Sequence, residues 1–527
     1  MTNSISEVEG NEVLFVIGSN TTEAHPIIGN KMKRAVQNGT KLIVVDPRET
    51  ELASIADLWL PLNSGTDAAL INGLMHIIVK ENWYDKEFIE NRCIGFENVL
   101  ETIEKYTPEV VFRITGISEK LLYETAKLYT STKKAGIFYT LGITEHTTGT
   151  ANVMNLANLA MMTGHLGIEN AGINPLRGQN NVQGACDMGA LPNTYPGYQD
   201  VASIESRKFF EEIWDIKLSP NNGLRIPEML DEALEGNVKF MYIMGEDPVL
   251  TDPDANHVKK ALDSLDFLVV QDLFLTETAK FADVIFPAAC YAEKNGTFTN
   301  TERRVQRVRK AVKAPGECRE DWEILVEIAQ RLGVKGFDYK EPEEIFEEIR
   351  ITTPSYRGIN YKRIDKVGIQ WPCPTEDHPG TPYLHSGEFT KGKGWMIPVE
   401  YEEPAELVCE EYPILLSTGR MLYHYNIMTR HSKRLNDIRP YELAEMNPID
   451  ADKLGIKEED LVRVTSRRGS ITTRVTITDK VKPGMMFMTF HYKESPVNEL
   501  TNSAYDPMTK TAEYKISAVK VEKIANI

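Results

Sequence analysis

The chain has 527 residues, 42% hydrophobic and 26% charged, long enough for several domains that each bury a core. A net charge of −18 without any long basic block excludes nucleic acid or an anionic membrane surface as the main partner. No run approaches the roughly 18–20 apolar residues that span a bilayer, and residues 1–9 have neither the basic nor the apolar region of a signal peptide, so a cytoplasmic location is expected.

In chain order, Val13 to Ile17 is a short apolar run closed by Gly18, Ser19 and Asn20, the pattern of a buried strand ended by turn residues. Lys41 to Val45 repeats it and stops at Asp46 and Pro47. Strand, helix and strand at this spacing predict a parallel βαβ unit, which places ligands at the carboxyl ends of its strands. Residues 151–162, mostly Ala, Leu, Asn and Met, predict a helix, and Gly164, Gly167 and Gly172 punctuate the segment after it. Residues 174–189 are polar and glycine-rich without helical or strand periodicity, the composition of a binding loop.

Phe240 to Met244 then ends at Gly245, Glu246 and Asp247, and Phe267 to Val270 ends at Gln271 and Asp272. From about residue 338 to 405 the composition shifts toward Pro, Gly, Lys and Glu, as in long surface connections. Beyond Tyr412, runs at 413–417, 461–466, 471–477 and 486–490 predict the short strands of a small β-barrel. Cys93, Cys186, Cys290, Cys318, Cys373 and Cys409 are scattered and form no C-x-x-C pair. Neither an iron–sulfur cluster nor structural zinc nor a disulfide framework is expected from them, and no metal ligand is assigned.

The two strand pairs echo each other. Asp46, Thr50, Glu51, Ala53, Ala56, Asp57 and Pro61 recur at a constant offset as Asp272, Thr276, Glu277, Ala279, Ala282, Asp283 and Pro287. One explanation is that βαβ units share composition; the sharper one is a duplication that creates two nucleotide-binding half-sites. An acidic residue just past a strand end accepts hydrogen bonds from a ribose or a guanine edge. Two such halves imply a ligand with two nucleotide ends, or two copies of one ligand.

The segment from Leu176 to Pro192, continuing to Tyr198, resembles the formate dehydrogenase branch of the molybdopterin oxidoreductases. Met244 to Pro248, Gly65 to Asp67, Gly296 to Asn300, Ser417 to Arg420 and Asn498 to Leu500 extend the resemblance along the whole chain. It implies an α/β fold with two Rossmann-like parallel-sheet domains related by a pseudo-twofold, plus a C-terminal dinucleotide-binding β-barrel. The corresponding segments are 1–175, 176–380 with the cofactor loop 176–192, and 381–527. The implied cofactor is a bis(molybdopterin guanine dinucleotide) carrying molybdenum or tungsten.

Mapped by motif, Asn20, Asp46, Gly65 and Asp67 would serve one guanine nucleotide, with Gly142 also at the cofactor. Gly245, Glu246, Asp247, Gln271, Asp272 and Asp321 would serve the other, and Arg420, His424, Asn498 and Lys515 would close over pterins and phosphates. Asp67 and Asp321 have an alternative as helix caps, His424 as a core histidine and Lys515 as a solvated lysine. The resemblance makes Arg177 the formate-binding residue, since guanidinium holds a carboxylate through two parallel charge-assisted hydrogen bonds. Gln179 would orient the substrate or a metal-bound sulfur; the alternative for Arg177 is a structural or phosphate contact.

The expected activity is oxidation of formate to CO2, with two electrons passed to an iron–sulfur chain and a flavin or iron–sulfur β subunit as partner. Alternatives are a nitrate reductase-type enzyme and a non-catalytic cofactor-binding protein. The family's four-cysteine [4Fe–4S] segment, its relay lysine, and its cysteine or selenocysteine metal ligand followed by histidine are not found. This chain alone is therefore expected to be incomplete and inactive. An in-frame selenocysteine codon upstream is the first explanation and a separate N-terminal polypeptide the next, which the upstream DNA would distinguish.

Overall fold

The computed structural model describes residues 1–524, which fall into two compact units. One comprises residues 1–176, 250–256 and 383–527, of which the final three lie outside the described residues; the other comprises 177–249 and 257–382.

In the first unit, β1 (Val13–Ile17), β2 (Lys41–Val45), β3 (Leu58–Leu60), β4 (Ala135–Tyr139) and β5 (Gly172–Pro175) form a parallel sheet in the order β3-β2-β1-β4-β5. Every residue of β1 is buried, as a parallel sheet covered on both faces requires. Because side chains alternate along a strand, Phe15, Ile17, Ile43 and Val45 join one core and Leu14, Val16, Leu42 and Val44 another. Helix α1 (Pro26–Gln37) adds Ile28, Met32 and Ala35 to the second core, and α2 (Asp67–Lys80) adds Leu70, Leu74 and Ile78 to the first. Each of these large aliphatic side chains contributes roughly 1.5–3 kcal/mol by leaving water.

The same unit carries a closed six-stranded barrel, in the order Ile414–Gly419, Met485–Thr489, Leu443–Met446, Ser470–Ile477, Leu461–Thr465 and Ser517–Lys523. Its core includes Leu416, Met446, Val462, Val464, Val475, Met486 and Val519. The barrel expected from sequence is present. The strands at 443–446 and 517–523 extend beyond the four runs that predicted it.

In the second unit, β6 (Phe240–Met244), β7 (Phe267–Asp272) and β8 (Val284–Pro287) form a parallel sheet in the order β8-β7-β6. Its internal register repeats that of β1–β3. Ile43 pairs with Leu58, and Val269 with Val284, at the same sequence offset. The repeated side chains make the same bonds in each copy. Asp57 Oδ2 accepts the Leu42 N–H at 2.9 Å, and Asp283 Oδ2 accepts the Leu268 N–H at 2.8 Å. Thr50 Oγ1 accepts the Ala53 N–H at 3.3 Å, and Thr276 Oγ1 the Ala279 N–H at 3.1 Å. Gly18 and Gly245, both at positive φ, each donate their N–H at 2.9 Å to a carbonyl at the carboxyl end of the neighbouring strand, Val45 O and Gln271 O. Shared composition alone would not reproduce side-chain hydrogen bonds at fixed register.

Two sequence expectations need correction. The 174–189 segment is not loop throughout: α3 (Val182–Asp187) forms inside it. Gln183 and Asp187 stand at i and i+4 on this helix and bond at 2.8 Å, a contact that favours helix over loop. The 338–405 region is more than surface connection. Phe346, Tyr356, Ile359, Tyr361 and Ile364 pack with Val305 and Ile369 into a core of the second unit. Widely spaced apolar residues within a Pro- and Gly-rich stretch conceal such a core from periodicity.

Candidate functional site

At the carboxyl edge of the first sheet, Gly142 donates its N–H to Gly18 O at 3.1 Å, so two loops meet backbone against backbone. A Cβ on Gly142 would lie 2.6 Å from both Gly18 Cα and Gly18 O. Gly142→Ala is expected to destabilise the ligand-free chain by about 1–3 kcal/mol, as overpacking against rigid backbone does. An unchanged urea midpoint would contradict this. Asn20 Oδ1 accepts the Thr22 hydroxyl at 3.3 Å just beyond β1. Gly65 is at φ +78°, and a Cβ there would meet Ile516 and Pro404.

Asp46 lies past the end of β2, where its Oδ1 accepts the Arg48 N–H at 2.9 Å. Asp67 opens α2 and is 5% exposed, with no cation within 4 Å among the described residues. Burial pushes the Asp67 carboxyl up to about 7, and the nearby Asp46 charge adds to the shift. Burial likewise pushes Asp46 up to about 6, against the opposing pull of the Arg48 N–H and charge.

Both folded-state values lie above the ordinary carboxylate range, so between about pH 4 and 7 these two groups hold more protons in the folded chain than in the unfolded chain. Their contribution to stability therefore falls as pH rises through that window, by on the order of a few kcal/mol. In urea unfolding of the ligand-free chain, Asp67→Asn should be more stable than the parent at pH 8 and nearly equal at pH 4. Equal stability at both pH values would refute the assignment. Two acids brought together by burial suit a partner that supplies donors, and the N1–H and 2-amino edge of guanine has that chemistry.

Around the barrel, Lys515 is not a solvated lysine. Its Nζ lies 2.7 Å from Glu145 Oε2 and donates to Thr418 O at 2.9 Å, with the side chain 13% exposed. The Arg420 guanidinium stacks over Tyr425 at 4.9 Å, with no carboxylate within 4 Å among the described residues. Burial pulls it below its ordinary value, so an anionic phosphate would suit it.

His424 has both ring nitrogens engaged, by Thr429 Oγ1 at 3.3 Å and Arg439 O at 3.1 Å, the arrangement of a core histidine. Asn498 donates to Leu250 O at 2.8 Å and Thr251 O at 3.0 Å, so its amide anchors the 250–256 segment. Sequence reasoning missed His146, whose Nε2 bonds Gly142 O at 3.0 Å while its buried Nδ1 has no hydrogen-bond partner among the described residues. The polar run after β4, Glu145 to Thr148, was the available signal.

In the second unit, Gln271 donates to Asp321 Oδ1 at 2.7 Å and accepts from Tyr242 OH. Asp321 opens α4 (Asp321–Arg331) and pairs with Lys294. Lys294, Asp321, Asn181, Trp322 and Tyr361 line a cavity of about 300 Å3. In each unit, then, an aspartate begins a helix that comes after the third strand of the repeat. Asp272 Oδ1 accepts the N–H groups of Leu273 and Phe274. Asp247 is buried and accepts from Thr278 N–H at 2.8 Å and Thr278 Oγ1 at 2.6 Å, which commits it to holding a turn. Gly245 and Glu246 are exposed, and a Cβ at Gly245 would meet nothing, so its positive φ rather than space selects glycine.

Arg177 Nε donates to Gln183 Oε1 at 2.9 Å, and its NH1 lies 3.6 Å from Cys186 Sγ. Gln179 is exposed, so the glutamine in contact with Arg177 is Gln183. Behind Gln183 lies Asp187, which also receives Tyr198, Tyr356 and Trp371.

The chain matches the family model for molybdopterin oxidoreductases over residues 1–331 and that for the molybdopterin dinucleotide binding domain over 414–518. It is 53% identical over 529 aligned residues to the F420-dependent formate dehydrogenase subunit alpha of Methanocaldococcus jannaschii, covering 99% of this chain and 78% of that one. It is 41% identical to formate dehydrogenase H of Escherichia coli, covering 100% and 75% of the two chains. Acetylene hydratase from Pelobacter acetylenicus shares the fold, with a TM-score of 0.76 at 22% identity, over 99% of this chain and 79% of that one.

Proposed function

Because the chain belongs to the molybdopterin oxidoreductase family, we propose that it is the catalytic-subunit portion of a formate dehydrogenase, converting formate to CO2 with release of two electrons and a proton. The observation that carries this reading is the Arg177 loop, whose guanidinium plane is fixed by Gln183 in a chain that also carries a duplicated pair of nucleotide half-sites. The cofactor in this reading is a bis(molybdopterin guanine dinucleotide) with molybdenum or tungsten, which when bound supplies the two-electron redox chemistry.

The chain's own residues bind and orient. Asp46 and Asp67 accept from one guanine, with Asn20, Gly65 and Gly142 shaping the strand ends around it. In the second unit Asp272, Gly245 and Glu246 flank the other guanine, and Gln271 and Asp321, bonded to each other and held by Tyr242 and Lys294, support that edge. Arg420 faces the phosphates, and Lys515, paired with Glu145, closes the same region of the first unit. His424, Asn498 and Asp247, whose polar atoms are held by the protein, position their loops rather than touch the cofactor. Arg177 binds the formate carboxylate through two charge-assisted hydrogen bonds.

The reading includes a [4Fe–4S] relay and an electron-transfer β subunit. The described residues contain no group of three or more His, Cys, Asp or Glu that could hold a metal, and no helix long and apolar enough to cross a membrane. Two relatives' names favour particular chemistry: formate as substrate in both, and F420 as acceptor in one. The cofactor-loaded native assembly should reduce a viologen dye with formate and fail to oxidise reduced viologen with nitrate. Nitrate turnover without formate turnover would overturn the assignment.

A further inference from the structure

Asp187 is 1% exposed, yet its carboxylate is filled on every side. Oδ1 accepts from Gln183 Nε2 at 2.8 Å and from Tyr198 OH at 2.8 Å. Oδ2 accepts from Tyr356 OH at 2.6 Å and from Trp371 Nε1 at 2.8 Å. A carboxylate offers about four acceptor sites, and four donors occupy them, two from nearby in the chain (Gln183 and Tyr198) and two from far along it (Tyr356 and Trp371). Charge-assisted bonds of this number offset the cost of burying the carboxylate. The phenols remain donors, because burial and the Asp187 charge raise both Tyr198 and Tyr356 above the ordinary tyrosine range.

One bond leads out of this cluster toward solvent-accessible chemistry. Gln183 Nε2 faces Asp187 Oδ1 and also lies 3.0 Å from Tyr198 OH, so the amide can point only its oxygen the other way. A flipped amide would set a carbonyl against a carboxylate. The oxygen thus directed outward accepts Arg177 Nε–H at 2.9 Å. We propose that Asp187 is a positioning residue: by fixing the Gln183 amide it fixes the guanidinium plane of Arg177 in the orientation that binds a small monocarboxylate. This rests on the reading of Arg177 as the substrate-binding group.

The test uses cofactor-loaded enzyme carrying Asp187→Asn, Gln183→Leu or Arg177→Lys. Asp187→Asn and Gln183→Leu should raise KM for formate about tenfold or more while kcat stays within about threefold, a split that loss of folded protein would not produce. Gln183→Leu leaves the Asp187 bonds to Tyr198, Tyr356 and Trp371 in place, so it decides the matter if Asp187→Asn fails to fold.

A second readout needs no cofactor. Cys186 Sγ lies 3.6 Å from Arg177 NH1, and the thiol is partly exposed. Its alkylation rate by iodoacetate relative to iodoacetamide, followed by peptide mass spectrometry, reports how firmly the cation is held beside it. That ratio should fall about threefold or more in both Asp187→Asn and Gln183→Leu. Parental KM and parental alkylation ratio in the folded variants, with Arg177→Lys still raising KM, would overturn the positioning role alone. An unchanged KM in Arg177→Lys would instead overturn the substrate role of Arg177.

Discussion

Arg177→Lys should lower kcat/KM for formate by about a hundred- to a thousand-fold in the cofactor-loaded enzyme. Lysine keeps the charge but not the planar fork, so one of two parallel charge-assisted bonds and the geometry of the other are lost. Bonds to a charged partner contribute roughly 1.5–3 kcal/mol each, and every 1.4 kcal/mol is about a factor of ten. Lysine also cannot reproduce the Nε–H that Gln183 Oε1 accepts, so its ammonium would not be held in one plane. Steady-state kinetics with formate measure the effect directly. A loss of less than about threefold would mean that the carboxylate is bound elsewhere.

The second large effect is structural and lies at the first half-site. Arg48 follows Asp46 by two residues, is 7% exposed, and holds Glu445 through Nε and NH2 at 2.6 Å each, with its guanidinium 4.2 Å from the Phe487 ring centroid. This ties the end of β2 to the barrel strand Leu443–Met446 within one unit. Arg48→Met leaves a nearly buried carboxylate without its partner, which costs about 3–5 kcal/mol. Removing both charges in the Arg48→Met/Glu445→Met double variant should restore most of that loss, because two apolar side chains of similar volume leave no uncompensated charge. Urea unfolding of the ligand-free chain distinguishes the outcomes. A double variant as unstable as the single one would show that the pair's geometry, and not its charge balance, holds the two elements together.

The repeat was legible in the sequence because its residues do local work. Asp57 and Asp283 close the third strand of each copy onto the start of the second, and Thr50 and Thr276 cap the intervening turn, so these identities persist at fixed spacing. Once those are accounted for, Asp46 and Asp272 stand out as acids at strand ends that the strand pairing does not require. The barrel was legible through alternation, with Val462 and Val464 buried and Leu461 and Arg463 exposed.

The surroundings of Arg177 were not legible in the same way. The contact between Gln183 and Arg177 has no signal in the sequence, because only α3 turns Gln183 and Asp187 onto one face; the expected role of Gln179, orienting the substrate or a metal-bound sulfur, is a separate one. Tyr356 and Trp371 reach Asp187 from more than 160 residues away in the chain. Both come from a stretch whose composition suggested only surface connection. His424 and Lys515 show the same limit: whether a polar side chain is free or committed depends on carbonyls such as Arg439 O and Thr418 O, which no motif records.

Two similar half-sites should hold the two nucleotide ends of one bis-dinucleotide cofactor, and cofactor stoichiometry tests this most directly. Acid hydrolysis of the purified, cofactor-loaded protein should release two guanosine monophosphates per polypeptide. One guanosine monophosphate per chain, or a different nucleotide, would contradict it.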